Sequence, residues 1–237
     1  MRLDKYLVEE SYFQSRNRAN EAIKSKKVKV DGKVAKASTP INETSFIEVE
    51  DEKFYVSRAG RKLESFLDDY PIEISNKVAL DIGSSTGGFA QIVLERGVES
   101  LACVDVGKKQ LHISIKQNKK VSIYEETDIR AFQSDKNFTL ITCDVSFISI
   151  LKIIEDIDKL AQTDTDIIIL YKPQFEVGKD VKRDNKGVVQ DADAIARRKE
   201  EFEAKAVELN WRLKEQAPSK LKGKDGNLEY LYWFIKL

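Results

Sequence analysis

Histidine occurs once and cysteine twice in the 237 residues, and the longest unbroken apolar or aromatic run, Tyr230 to Ile235, has six. Each scarcity excludes a class of protein. A Ser-His-Asp triad or a multi-histidine metal site needs more imidazole than His112 alone supplies, so no metal is expected. His112 itself falls at the start of a helix after a strand, a surface or packing position. Cys103 and Cys143 each lie inside an apolar segment, which argues for reduced thiols in buried strands rather than a disulfide framework. A run of six is far short of the ~20 residues that span a bilayer. No positively charged start leads into an apolar stretch, so no signal peptide is expected and the chain reads as cytoplasmic, with no membrane partner. Net charge is missing too: 40 Lys and Arg balance 40 Asp and Glu. A uniformly basic nucleic-acid coat is excluded, a local patch is not. With 41% hydrophobic residues the chain can build a core, and low-hydrophobicity disorder is excluded. At ~150 residues per domain the length favours one or two domains.

Two regions differ in pattern, with a boundary expected in residues 51–55. The first, residues 1–55, reads as a small α+β unit. Leu3, Tyr6 and Leu7 recur at helical spacing, and Ser15 is a plausible cap for a second helix. Val28-Lys29-Val30-Asp31-Gly32-Lys33-Val34 alternates around a hairpin turn, and Ile47 to Glu50 returns as a strand. Between Ser15 and Lys36 stand Arg16, Arg18, Lys24, Lys26, Lys27, Lys29, Lys33 and Lys36 against Glu21 and Asp31, a local charge of +6. Such a cluster is either an electrostatic footprint for RNA phosphates or a solvated helix face.

Residues 56–237 alternate strands and helices. Val78–Ile82, Ser100–Val104, Val121–Glu125, Leu140–Cys143 and Ile167–Leu170 read as strands. Gly60–Asp69, Gly88–Arg96, Leu111–Gln117, Ser149–Ala161 and Ala192–Leu209 read as helices. That alternation predicts an α/β fold with a mostly parallel, Rossmann-like sheet. Trp211–Gln216 and Glu229–Ile235 are expected to close it as an antiparallel hairpin.

Asp81-Ile82-Gly83-Ser84-Ser85-Thr86-Gly87-Gly88-Phe89 falls where the first strand of the sheet turns into a helix, a place where bare backbone can approach a ligand. The spacing is neither G-x-G-x-x-G, which a nucleotide-dependent oxidoreductase would need, nor a P-loop. Asp105 and Asp128 follow the next two strands, and Asp105 is placed for a ribose diol. A nucleoside-bearing cofactor is expected.

Asp81-x-Gly-x-x-x-Gly-Gly-Phe resembles the S-adenosylmethionine loop of the FtsJ-like ribose methyltransferases. The wider string resembles their TlyA/hemolysin A branch: Tyr55-Val56-Ser57-Arg58-Ala59-Gly60-Arg61-Lys62-Leu63, Val104-Asp105-Val106-Gly107 and Cys143-Asp144-Val145-Ser146-Phe147-Ile148-Ser149, followed by Leu170-Tyr171-Lys172-Pro173-Gln174-Phe175-Glu176-Val177-Gly178 and Gly226-Asn227-Leu228-Glu229-Tyr230. The resemblance covers essentially the whole chain; Ala59 stands where members often have a second glycine. It implies a Rossmann-like methyltransferase domain behind a ribosomal-protein-S-four-like (α-L) RNA-binding domain. The implied activity is methyl transfer from S-adenosylmethionine to a 2′-hydroxyl, of cytidine type, on ribosomal RNA or ribosomal subunits.

By that resemblance the cofactor would lie against Asp81, Gly83, Ser84, Gly87, Gly88, Phe89, Asp105 and Asp128. RNA would meet Arg16, Arg18, Lys24, Lys26, Lys27 and Lys29. Lys62, Asp144, Lys172 and Glu229 match the family's Lys-Asp-Lys-Glu catalytic set. Topology supports three of the four independently, because Asp144 and Lys172 end strands and Glu229 begins an antiparallel one on the same sheet edge. In this reading Lys172 removes the hydroxyl proton, Lys62 supplies a neighbouring like charge, and the two carboxylates hold both ammonium groups. Two other readings are an RNA-binding protein without methylation activity and a membrane-active hemolysin.

Overall fold

The computed structural model describes residues 1–237 except 10, 11, 14, 43, 51, 52 and 54, so part of the expected 51–55 boundary lies outside the described residues. The chain forms two compact units, Met1–Phe54 and Tyr55–Leu237.

In the first unit, α1 (Leu3–Glu9) and α2 (Arg16–Lys24) pack on a small antiparallel sheet of order β2-β1-β3, formed by β1 (Val28–Val30), β2 (Lys33–Val34) and β3 (Ile47–Val49). Ser15 caps α2, its hydroxyl accepting from the Arg18 amide at 3.3 Å. Asp31 and Gly32 both take positive φ, 51° and 75°, the backbone of the tight hairpin turn that Asp-Gly favours. Leu3, Leu7, Ala19, Ile23, Val28 and Val30 form its core.

The second unit opens with α3 (Arg58–Asp69), capped by Ser57, whose hydroxyl accepts from the Ala59 amide. Then follow β4 (Val78–Ile82), α4 (Gly88–Glu95), β5 (Ser100–Val104), α5 (Ile113–Lys116), β6 (Val121–Tyr124) and β7 (Phe138–Cys143). The chain continues through α6 (Ile154–Leu160), β8 (Ala161–Tyr171), α7 (Pro173–Glu176), α8 (Ala192–Glu208), β9 (Trp211–Pro218) and β10 (Tyr230–Lys236). The strands form one sheet of order β6-β5-β4-β7-β8-β10-β9. The first five run parallel; β10 lies antiparallel between β8 and β9.

Strand residues alternate between two apolar layers. Leu80, Ile82, Ile141, Ile167 and Ile169 enter one, with Phe202 of α8. Ala79, Leu101, Leu140, Ile168 and Leu170 enter the other, with Leu63 of α3 and Phe89 of α4. Burial on both faces is why these strands read as continuous apolar runs. Cys103 and Cys143 are free and buried, and burial pushes both thiols up.

Three expectations change. The helix expected over Leu111–Gln117 is one turn, capped by His112, whose Nδ1 accepts from the Ser114 amide. The helix expected over Ser149–Ala161 is a 3₁₀ turn, Ile150–Lys152, followed by α6. β8 is eleven residues long rather than the short run Ile167–Leu170, because β10 pairs along it from Asp166 to Tyr171 and β7 pairs with it from Ala161.

Candidate active site

The strand order reverses at β4, whose neighbours β5 and β7 lead away in opposite directions. A crevice outside the carboxyl ends of the strands is expected at such a point, because the loops diverge there. Two adjoining cavities occupy that edge, of about 540 and 310 Å³, and they share Gly83, Ser85, Asp144, Ser146 and Phe147.

The smaller cavity lies at the ends of β4 to β7. Val106, Ile129, Ile148 and Ile153 give it apolar walls, while Asp105, Thr127, Asp128 and Gln110 supply polar groups. Asp105 ties two loops together: the Ser85 amide donates to Oδ2 and the Gly107 amide to Oδ1, both at 2.7 Å. Asp128 caps the turn Ile129–Ala131 and pairs with Arg130, which brings its carboxyl down to about 2.

The glycine loop serves several ends. Gly83 takes φ 74° and passes the β7 loop so closely that a Cβ would lie 2.9 Å from the Asp144 carbonyl oxygen. Gly83, Ser84, Gly88 and Phe89 line the larger cavity. Gly88 also lets α3 approach, since a Cβ there would meet Ser57 Oγ at 2.0 Å and the Gly60 nitrogen at 2.9 Å. Two expected contacts move. Gly87 does not line either cavity; its left-handed backbone, φ 92°, packs against Ile115 and Leu111. Asp81 is fully buried under the loop, its Oδ1 accepting from Thr142 Oγ1 at 2.7 Å while its Oδ2 meets no donor among the described residues. Burial raises its carboxyl to about 7, with the charges of Asp144 and Asp105 adding to the rise. Asp81 shapes the loop from below, because strand alternation turns its side chain inward.

Lys62, Asp144, Lys172 and Glu229 all line the larger cavity. Asp144 follows β7 and Lys172 follows β8. Tyr230 pairs with Tyr171, so the antiparallel β10 brings Glu229 beside Lys172 at that edge. Lys62 reaches in from α3, which the Gly60–Gly88 contact holds close to α4. Each lysine has its own carboxylate: Lys172 Nζ lies 2.6 Å from Asp144 Oδ1, and Lys62 pairs with Glu229. Burial pushes the Asp144 carboxyl up, against the pull of Lys172 and Lys62.

Sequence reasoning did not single out three neighbours. Gln174 Nε2 donates to Glu229 Oε1 at 2.8 Å. Ser146 Oγ accepts from Lys172 Nζ at 2.9 Å. Phe147 is 90% exposed with φ 66°, and its ring centroid lies 5.1 Å from that of Phe175. All three stand in the strings that carry the family resemblance, but their contacts arise from the packing of two strand ends.

In the first unit, Lys24 and Lys26 are exposed, whereas Lys27 and Lys29 are half-buried. Arg16 is committed within the fold: it lies 2.6 Å from the buried Asp4, whose carboxyl Arg2 and Arg16 hold well below the usual carboxylate range. Arg18 is half-buried, and its amide serves the Ser15 cap.

Among the described residues, no helix is long and apolar enough to cross a membrane, and no group of three or more His, Cys, Asp or Glu could hold a metal.

A parallel sheet extended by an antiparallel pair, with a glycine loop after its first strand and acidic residues after the next two, defines a Rossmann-like methyltransferase fold. The chain belongs to the FtsJ-like methyltransferases, whose family model matches residues 55–236; an S4 domain matches residues 1–47. It is 44% identical to the 23S rRNA (cytidine-2′-O)-methyltransferase TlyA of Campylobacter jejuni, over all of both chains. It is 35% identical to the 16S/23S rRNA (cytidine-2′-O)-methyltransferase TlyA of Mycobacterium tuberculosis, over 98% of this chain and 88% of that one. Among solved structures, a candidate hemolysin from Lactococcus lactis superposes with a TM-score of 0.73 at 32% identity, covering 78% of this chain and 90% of that one.

Proposed function

We propose that this chain methylates the 2′-hydroxyl of a cytidine in ribosomal RNA, using S-adenosylmethionine, and acts in the cytoplasm. The observation that carries the reading is the convergence of Lys62, Asp144, Lys172 and Glu229 on one cavity beside the glycine loop.

The residues present fit the cofactor. The smaller cavity offers apolar walls for a base and the Asp105 carboxylate for a ribose diol. Gly83 and Ser85 line both cavities and would meet the remainder where the two adjoin. Gly83, Ser84, Asp105 and Asp128 would hold it. When bound, it supplies a methyl group on a positively charged sulfur, already activated, so no metal is required.

The chain's own work is positioning and proton transfer. A ribose hydroxyl is a poor nucleophile until its proton is taken up. We assign that proton to Lys172 Nζ in its neutral amine form, which emerges from the buried β8 and is held by Asp144 and Ser146; the ammonium so formed returns the proton to water after transfer. Lys62, fixed by Glu229 and through it by Gln174, brings a second amino group to the same cavity. Holding oxygen and methyl in line supplies most of the acceleration. The first unit, with Lys24 and Lys26 exposed, supplies phosphate contacts.

The test is transfer of labelled methyl from S-adenosylmethionine to purified ribosomal subunits and naked ribosomal RNA, followed by mapping. Label on a cytidine 2′-oxygen is expected. Label on a base, or none on either substrate, overturns the proposal.

A further inference from the structure

Glu176 closes α7, four residues beyond Lys172, and is only 4% exposed. A buried carboxyl is costly unless donors meet it. Its donors come from the neighbouring loop: Ser149 Oγ donates to Oε2 at 2.5 Å and the Ile150 amide to Oε1 at 2.9 Å. Burial pushes this carboxyl up, while Ser149, the Ile150 amide and Arg198 pull it down. From the other side, Arg198 Nε of α8 donates to the Glu176 carbonyl oxygen at 2.8 Å. Glu176 therefore joins the segment after β7, residues 144–150, to the segment after β8, residues 172–176.

Those two segments carry the centre of the proposed site. The first holds Asp144, Ser146 and Phe147; the second holds Lys172, Gln174 and Phe175. Between them run the Lys172–Asp144 pair, the Lys172–Ser146 hydrogen bond and the Phe147–Phe175 contact. Ser146 and Phe147 lie at the open edge, Phe147 almost fully exposed, while the Lys172 and Asp144 side chains keep 11% and 16% of their surface in contact with water. The Glu176 bonds are a more deeply buried link between the same segments, with Glu176 4% and Ser149 8% exposed. An apolar residue could fill that space but would leave the Ile150 amide without an acceptor.

We infer that Glu176 is a positioning residue, a buried clasp between two strand-end loops that sets Lys172 and Asp144 in register for proton removal. The inference rests on the methyl-transfer reading above. Nothing in the reaction requires Glu176 to touch RNA or cofactor.

The experiment compares Glu176→Ala, Glu176→Gln and Ser149→Ala in the full-length protein. It measures kcat and KM for methyl transfer, thermal melting, and hydrogen exchange of residues 145–150. Glutamine keeps an acceptor for the Ile150 amide and offers an N–H to the Ser149 hydroxyl, so it preserves the clasp.

For Glu176→Ala, kcat should fall about tenfold or more with KM little changed, since misplaced groups lose rate rather than affinity. Exchange at residues 145–150 should rise about tenfold, as expected when a local link is lost. Glu176→Gln should recover kcat to within about threefold of wild type. Ser149→Ala should show a smaller defect that is not additive with Glu176→Ala. Wild-type kcat in folded Glu176→Ala, or Glu176→Gln as impaired as Glu176→Ala, overturns the inference. If the wild-type protein methylates no ribosomal RNA, the functional reading fails instead. Exchange then decides the clasp alone: unchanged protection in Glu176→Ala overturns it, and lost protection restored by glutamine sustains it.

Discussion

Lys62 and Glu229 stand 167 residues apart in the chain and form an ion pair with side chains only 8% and 3% exposed. Breaking such a pair leaves one charge buried and uncompensated, whereas replacing both partners by apolar residues does not. Glu229→Ala should therefore lower stability by roughly 3–5 kcal/mol, and Lys62→Met/Glu229→Leu should recover much of it. Methyl transfer should stay lost in both. Urea unfolding followed by Trp fluorescence checks this; a double variant no more stable than Glu229→Ala would show that the pair's charges do not set the cost.

Lys172→Arg separates charge from proton transfer. Arginine keeps the positive charge beside Asp144 but cannot give up its proton near neutral pH. RNA and cofactor binding should persist while single-turnover transfer falls by ~10²-fold or more, the usual cost of a lost general base. A near wild-type rate would leave Lys172 as an electrostatic clamp only.

Asp81 makes stability depend on pH. Its carboxyl is raised from 3.8 to about 7, so between those values the unfolded chain has released a proton that the folded chain keeps. The contribution is fully present below pH 3.8 and is lost as pH rises toward 7, at about 1.4 kcal/mol per pH unit. Asp81→Asn has no such proton to lose. Unfolding free energies at pH 5 and pH 8 should therefore fall less in Asp81→Asn than in the wild type. Equal falls would count against a protonated Asp81.

Lys24 and Lys26 are exposed on the first unit, and each phosphate contact releases counterions. Lys24→Ala/Lys26→Ala should weaken ribosomal RNA binding and reduce the slope of log affinity against log salt by about 1 per lost contact. Arg16→Ala should instead destabilise the unit, because Arg16 is tied to the buried Asp4. An unchanged slope in the lysine variant would mark these residues as a solvated face.

Periodicity and turn chemistry alone were enough for the parallel strands, the Asp31-Gly32 hairpin and the glycine loop after β4, because each depends on residues close together in sequence. The placement of Asp144, Lys172 and Glu229 on one edge was legible too, since strand direction decides which end a residue occupies. Tertiary packing decided the rest. Pairing with β10 and β7 extended β8 beyond its apolar run. The inward face of β4 buried Asp81 beneath the loop, and the Gly60–Gly88 approach brought α3 and Lys62 to the cavity. The partners of Lys62 and of Glu176 lie on segments distant in the chain, and local sequence carries no signal for which carboxylate or amide will meet which side chain. Those contacts exist only once the sheet has closed and water has been excluded from between its loops.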